Sequence, residues 1–150
     1  MFKVNLMLAD AAQVAHGKLS MLGGGWSMIV PGAPFAVCGI IDIPWHKVTD
    51  WHSLRLELID GDGESFGVLV DGEDEPKPLV FDSPPYRPTI SPHVKPGTWL
   101  TWPFVMNIGP GLPLEPDTIY EWRLSIDGKN EEGWTLPFTT VSPQQLSQAA

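Results

Sequence analysis

Hydrophobic and polar residues take turns along most of this chain with a period of two. That spacing puts one face of a strand on a core and the other in water. Phe2, Val4, Leu6 and Leu8 alternate with Lys3, Asn5 and Met7 and predict a first, half-buried strand. Gly17 opens a second strand, 18–21, which resumes after Gly23-Gly24-Gly25 as 26–30. Three glycines inside a strand pattern predict a bulge, a sharp bend or close approach of another backbone. Residues 35–43 (FAVCGIIDI) are almost continuously apolar, as a central strand covered on both faces would be. Leu54, Leu56 and Leu58 alternate with polar neighbours. The Asp60-Gly61-Asp62-Gly63 run after them predicts a primed hairpin turn and a return strand through Phe66, Val68 and Val70.

Residues 44–50 read as one helical turn or a loop, and 79–81 as a short strand. Prolines recur from 82 to 97, which predicts a long extended loop rather than a linker between domains. In the strand at 98–108, Leu100, Trp102, Phe104, Met106 and Ile108 share one face. Pro103 has no N–H to give a ladder, so this strand is expected at an edge or bulged. Tyr120, Trp122, Leu124 and Ile126 form the next inward row, Asp127-Gly128 turns the chain, and Trp134, Leu136 and Phe138 form the last. Eight or nine short strands without a fixed repeat predict an all-β chain. Its expected form is a single-domain antiparallel β-sandwich, immunoglobulin-like or jelly-roll-like, over 1–141, with a flexible tail at 142–150. A partly closed barrel is the alternative. Leu114, Pro116-Asp117 and Tyr120 resemble the tyrosine corner of immunoglobulin-like and fibronectin-type sandwiches, in which the phenol reaches back to upstream backbone.

Composition narrows the partners. Eighteen acidic residues against nine basic ones leave a formal charge of −9. That sign repels phosphate backbones and anionic lipid, so neither nucleic acid nor membrane is an expected partner. The N-terminal apolar stretch alternates with Lys3 and Asn5 and runs into Asp10, so it reads as a strand and not as a signal peptide. The expected location is cytoplasmic or within a virion. A lone cysteine, Cys38, excludes an internal disulfide and a cysteine-based zinc site, and its apolar strand predicts an inert thiol.

Chemical motifs are sparse. Asp60, Asp62 and Glu64 alternate like the first ligands of a calcium loop, but Ser65 and Asp71 occupy the positions that need glycine and glutamate. A solvated turn is the expectation, with weak cation binding between Asp60–Glu64 and the acidic tip Asp71–Glu75 left open. His46 and His52, with Asp42 or Asp50, lack the spacing of a metal pair, and a Trp-anchored loop accounts for that stretch. Gly23-Gly24-Gly25 precedes a strand and lacks the Lys-Ser/Thr of a phosphate loop. No nucleophile motif stands out, and no cofactor is expected. Seven tryptophans are the unusual number. Trp102, Trp122 and Trp134 fall on inward faces. Trp99, Trp45 and Trp51 do not, and these three are the candidate binding residues, as sugar platforms or interface anchors.

The phrases Leu8-Ala9-Asp10-Ala11-Ala12-Gln13-Val14, Gly17-Lys18-Leu19 and Leu22-Gly23-Gly24-Gly25-Trp26 resemble the opening of an uncharacterised family of small bacterial and phage proteins. The family is a domain of unknown function. The likeness implies a compact all-β domain and carries over no catalytic residue. The phrase itself reads as strand, tight loop and bent strand, a folding device before a binding site. The expected function is non-enzymatic: protein contact or self-association, in a phage virion or as an accessory component. A carbohydrate-binding module is the alternative, and a small hydrolase, which would need a His beside Ser, Asp or Glu in a cleft, comes third.

Overall fold

A computed structural model of the chain describes residues 1–69 and 71–144. Twelve strands run through them: β1 (Lys3–Ala9), β2 (Ala11–Ala15), β3 (Lys18–Leu22), β4 (Met28–Ile29), β5 (Phe35–Ile43) and β6 (Leu54–Ile59) in the first half. The second half holds β7 (Gly67–Val68), β8 (Lys77–Pro78), β9 (Val80–Asp82), β10 (Leu100–Ile108), β11 (Ile119–Ile126) and β12 (Thr135–Thr140). A 3-10 turn, Trp45–Lys47, follows β5 where a helical turn or loop is expected. The chain is all-β, and its strands are divided among four sheets rather than closed into a barrel.

The three-stranded sheet has the order β1-β5-β10 and the five-stranded one β4-β12-β11-β6-β9. Both feed one buried apolar cluster. Phe35, Val37, Ile41 and Ile43 of β5 and Trp102, Phe104 and Met106 of β10 enter it from the first sheet. Leu54, Leu56 and Leu58 of β6, Trp122 and Leu124 of β11, and Phe138 of β12 enter from the second. The period-two rows thus face the core as expected, and Trp102, Trp122 and Trp134 are all buried. At the middle of β5, Gly39 pairs with Leu6 on one side and Phe104 on the other. The Phe104 ring fills the space a side chain at 39 would take.

Strand β10 is an edge, as Pro103 predicts. The turns at His16-Gly17 and Asp127-Gly128 each place two successive residues at positive φ, the signature of the type I′ hairpin turn that matches strand twist. The tyrosine corner is present. Tyr120, 3% exposed, accepts a hydrogen bond at its Oη from the Glu115 N–H at 2.9 Å. Buried Thr140 doubles the pin, accepting from Thr118 N–H at 3.1 Å and donating to the Glu115 carbonyl.

Several local expectations are corrected. The strands number twelve among the described residues, not eight or nine, because short pairs form outside the two main sheets. Residues 11–15 are a strand, not a tight loop, and β3 does not continue into the next strand. β3 pairs with β2, whereas β4 joins β12 in the other sheet, the glycine run carrying the chain across. The return strand after the acidic turn is only Gly67–Val68, and it pairs with β8. Val70 of that expected strand lies outside the described residues. The Asp60 turn is not a primed two-residue turn. Gly63 N–H bonds the Asp60 carbonyl, and the Asp60 carboxylate takes the N–H groups of Asp62 and Glu64, which makes a longer loop. Of the expected tail at 142–150, residues 145–150 lie outside the described residues.

Candidate functional site

The most exposed regular element is the β2–β3 hairpin. Its His16-Gly17 turn is tight, and Asp10 N–H donates to the carbonyl of Leu22 at 3.0 Å, closing its base. Of its ten strand residues only Ala12 and Leu19 are even half-buried. Val14, Met21 and Leu22 stand in solvent, Leu22 at 74% exposure. Neither outer edge of the pair has a ladder partner among the described residues. A two-stranded ribbon alone is marginal in water, and open edges invite another strand. The hairpin is held by lying across the outer face of the first sheet, β2 against β10 and β5. The glycine run makes that seat possible: a Cβ at Gly23 would collide with the Asp10 carboxylate.

Beside the hairpin runs a groove of about 500 Å³ along the free edge of β10. Val14, Phe81, Pro84 to Tyr86 and Trp102 to Val105 are among the residues that line it. Tyr86 stacks on Trp102 at 4.8 Å with 7° between the planes. Its phenol, whose pKa burial holds above the usual tyrosine value, donates to the Thr101 carbonyl at 3.5 Å. Tyr86 and Pro103 together blunt the middle of this edge, as proteins commonly do to an exposed strand. In a separate cavity with Glu57 and Ser125, the Arg55 guanidinium grips Asp82 at 2.8 and 3.1 Å and holds that carboxyl below its ordinary range.

The three candidate tryptophans do not form one platform. Trp45 packs against the core cluster. Trp51 is 60% exposed, and the Arg87 guanidinium lies over its ring at 4.5 Å. It lines a separate cavity with Val48, Thr49, Arg87 and the 88–90 segment. Trp99 is 39% exposed and carries Lys3 Nζ 4.5 Å from its ring centroid. Each exposed indole therefore has one face taken by a cation. A sugar ring stacking there would compete with that cation for the face.

The spacing of His46 and His52 argues against a shared metal, and the structure gives the two rings different surroundings. His46 is exposed, whereas His52 is 3% exposed. His52 Nδ1 lies 2.7 Å from Asp127 Oδ2, and Nε2 lies 2.8 Å from the Lys47 carbonyl. This is the His–carboxylate pair a hydrolase would need, yet both partners are acceptors and both ring nitrogens are committed. The ring is 3% exposed and faces protein groups at both nitrogens rather than a cleft. Phe2 meets the ring edge-on at 5.3 Å, and the His52 backbone pairs with Tyr86. The imidazole thus ties the 3-10 turn to the β11–β12 turn, and the His52 backbone ties both to the proline-rich loop. His52→Leu is expected to lower stability by about 1–3 kcal/mol, because the Lys47 carbonyl and the Asp127 carboxylate lose their donor. Asp127→Asn, which keeps an acceptor and tolerates positive φ, should cost less. Urea melts of the two variants check the ranking, and equal losses would mean that keeping an acceptor at 127 preserves nothing.

Among the described residues no three His, Cys, Asp or Glu side chains converge as a metal-binding set. No helix among them is long and apolar enough to cross a membrane. Cys38 lies on the outer face of β5 beneath the hairpin, and burial holds its thiol above the ordinary cysteine pKa. Comparison with known proteins finds no matching curated protein and no matching solved structure. One family, described as a family of unknown function (DUF6941), matches residues 5–139.

Proposed function

Since the chain belongs to DUF6941, a family of unknown function, we propose from its geometry that it is a single β-sandwich that works by protein contact through the β2–β3 arm. The occupant is a second copy of the same chain, its arm laid against this one. The observation that carries this reading is the arm itself: an open-edged ribbon with Val14 and Leu22 exposed, seated beside an apolar groove. Edge pairing of two arms would turn two marginal ribbons into a four-stranded sheet and satisfy the open backbone edges. The sparse charge of the arm suits the role. Lys18 is the one charged residue of β2 and β3, so the repulsion from a net charge of −9 is weakest there.

Light scattering over a concentration series tests it. The expected result is a dimer that becomes monomeric in Val14→Asp with Leu22→Asp, while the thermal melt of the monomer is unchanged. A chain that stays monomeric at every concentration overturns the reading, as does a dimer indifferent to both substitutions. Glycan binding lost in Trp51→Ala would favour the carbohydrate reading instead.

A further inference from the structure

Two soft sulfur atoms meet under the arm, and a third borders the same glycine. Met7 of β1 is the direct cross-strand partner of Cys38 of β5, so both side chains leave the same outer face of the sheet. Met21 of β3 comes down onto them from above, its Sδ 3.8 Å from Cys38 Sγ. Gly24 closes the group: a Cβ there would stand 2.7 Å from the Met21 sulfur and 3.4 Å from the Met7 sulfur, so both thioethers border the same glycine. The three donors come from three strands that only the folded chain brings together.

We infer that Cys38, Met21 and Met7 form a binding site for a monovalent soft metal ion, Cu(I), whose occupancy clips the arm to the sheet. Thiolate and thioether ligands select soft ions, and imidazole and carboxylate are what borderline and hard divalent ions require. No set of the latter kind converges among the described residues. A three-coordinate ion with bonds of about 2.3 Å, the usual metal–thiolate length, spreads two of its ligands about 4 Å apart. The Cys38–Met21 pair stands at 3.8 Å before any metal is added. Met7 has three rotatable side-chain bonds with which to bring its sulfur in. Entry is through Met21, which is 38% exposed, whereas Cys38 has no solvent contact of its own.

The chemistry is an exchange without electron transfer. Cu(I) forms a bond to Cys38 Sγ, the S–H bond breaks, and one proton leaves to solvent. A metal-bound thiol is deprotonated outright, so the burial that keeps the free thiol protonated does not prevent binding. The inference is independent of the contact reading, since it concerns the underside of the arm and predicts binding in a monomer and a dimer alike.

The test is an anaerobic titration of the full chain with Cu(I), in competition with a bicinchoninate chelator, with released protons counted. The expected result is one equivalent retained, one proton released and the Cys38 thiol protected from alkylation. Met21→Leu and Met7→Leu, which conserve volume, should each weaken retention at least tenfold with an unchanged melt, and Cys38→Ser should abolish it. Wild-type protein that yields its copper at the concentration where a free thiol does overturns the inference. So does retention that both Met→Leu variants leave unchanged. Should Cys38→Ser fail to fold, the methionine variants still decide the matter.

Discussion

Trp122→Ala is expected to lower the unfolding free energy by about 3–5 kcal/mol, the range for deleting a large aromatic from a packed core. The indole has no solvent exposure. It sits in β11, paired with Leu136 of β12 on one side and Leu58 of β6 on the other. Across the core its ring meets Phe35 of the opposite sheet at 6.5 Å between centroids. One side chain therefore fills space between both main sheets, and truncation leaves a hole that neither backbone can close. Domains of this size have about 5–15 kcal/mol in all, so the variant should unfold at a markedly lower urea concentration with the same slope. Trp122→Phe keeps a ring and should lose much less. The indole N–H it removes has no hydrogen-bond partner among the described residues, so deleting it strands no acceptor. A loss under about 1 kcal/mol for the alanine variant would show that the two sheets do not share this core.

Gly39→Val should be the second most damaging change, at about 3 kcal/mol or beyond, the upper end for overpacking. The backbone at Gly39 is not left-handed, so the cause is space and not strain. A Cβ there would be driven into the Asn5 carbonyl oxygen, part of the neighbouring strand, and would lie 3.1 Å from the Phe104 ring. The ring is a side chain with its own torsions, but the strand backbone moves only if the β1–β5 ladder opens. Hydrogen exchange along β1 and β5 should rise in this variant before the melt is lost. Gly109→Ala is the matched control: nothing lies within 4 Å of its would-be Cβ, and the change should fall within about 0.5 kcal/mol of wild type. Equal behaviour of the two variants would mean that Gly39 is not held between its neighbours as described.

Asp127 shows how much of the candidate site was legible in the residues alone. Asp-Gly announces a primed turn, because both residues tolerate positive φ, and the turn is there. The same carboxylate also reaches His52 and the N–H of Ser53, more than seventy positions away, and nothing local to either residue announces that. The first strand of the arm was missed for a different reason. Ala-Ala-Gln-Val-Ala has small side chains and no clean alternation, since almost none of it is buried, and the period-two signal exists only where one face is. The outward face of β5 is a mixed case. Its unbroken apolar run predicts cover on both sides, and Cys38 is covered, but by a hairpin whose placement depends on Gly23 and Gly24 leaving room for Asp10 and Met21. Among the tryptophans, parity separated the three core indoles from the rest. It had no means of showing that Lys3 and Arg87 would lie over Trp99 and Trp51.

What the residues determined by themselves is therefore everything decided within about five positions. That covers which side chains share a face, where glycine or aspartate permits a left-handed turn, where proline forbids a ladder, and the reach of Tyr120 back to Glu115. Only the tertiary structure decided which strand pairs with which, that β3 and β4 part into different sheets, and that Met21 and Cys38 meet. The physical reason is that turn and face preferences are steric properties of neighbouring residues. Strand partners are chosen by how much apolar surface the whole chain buries against the entropy of closing long loops, a balance no short window contains.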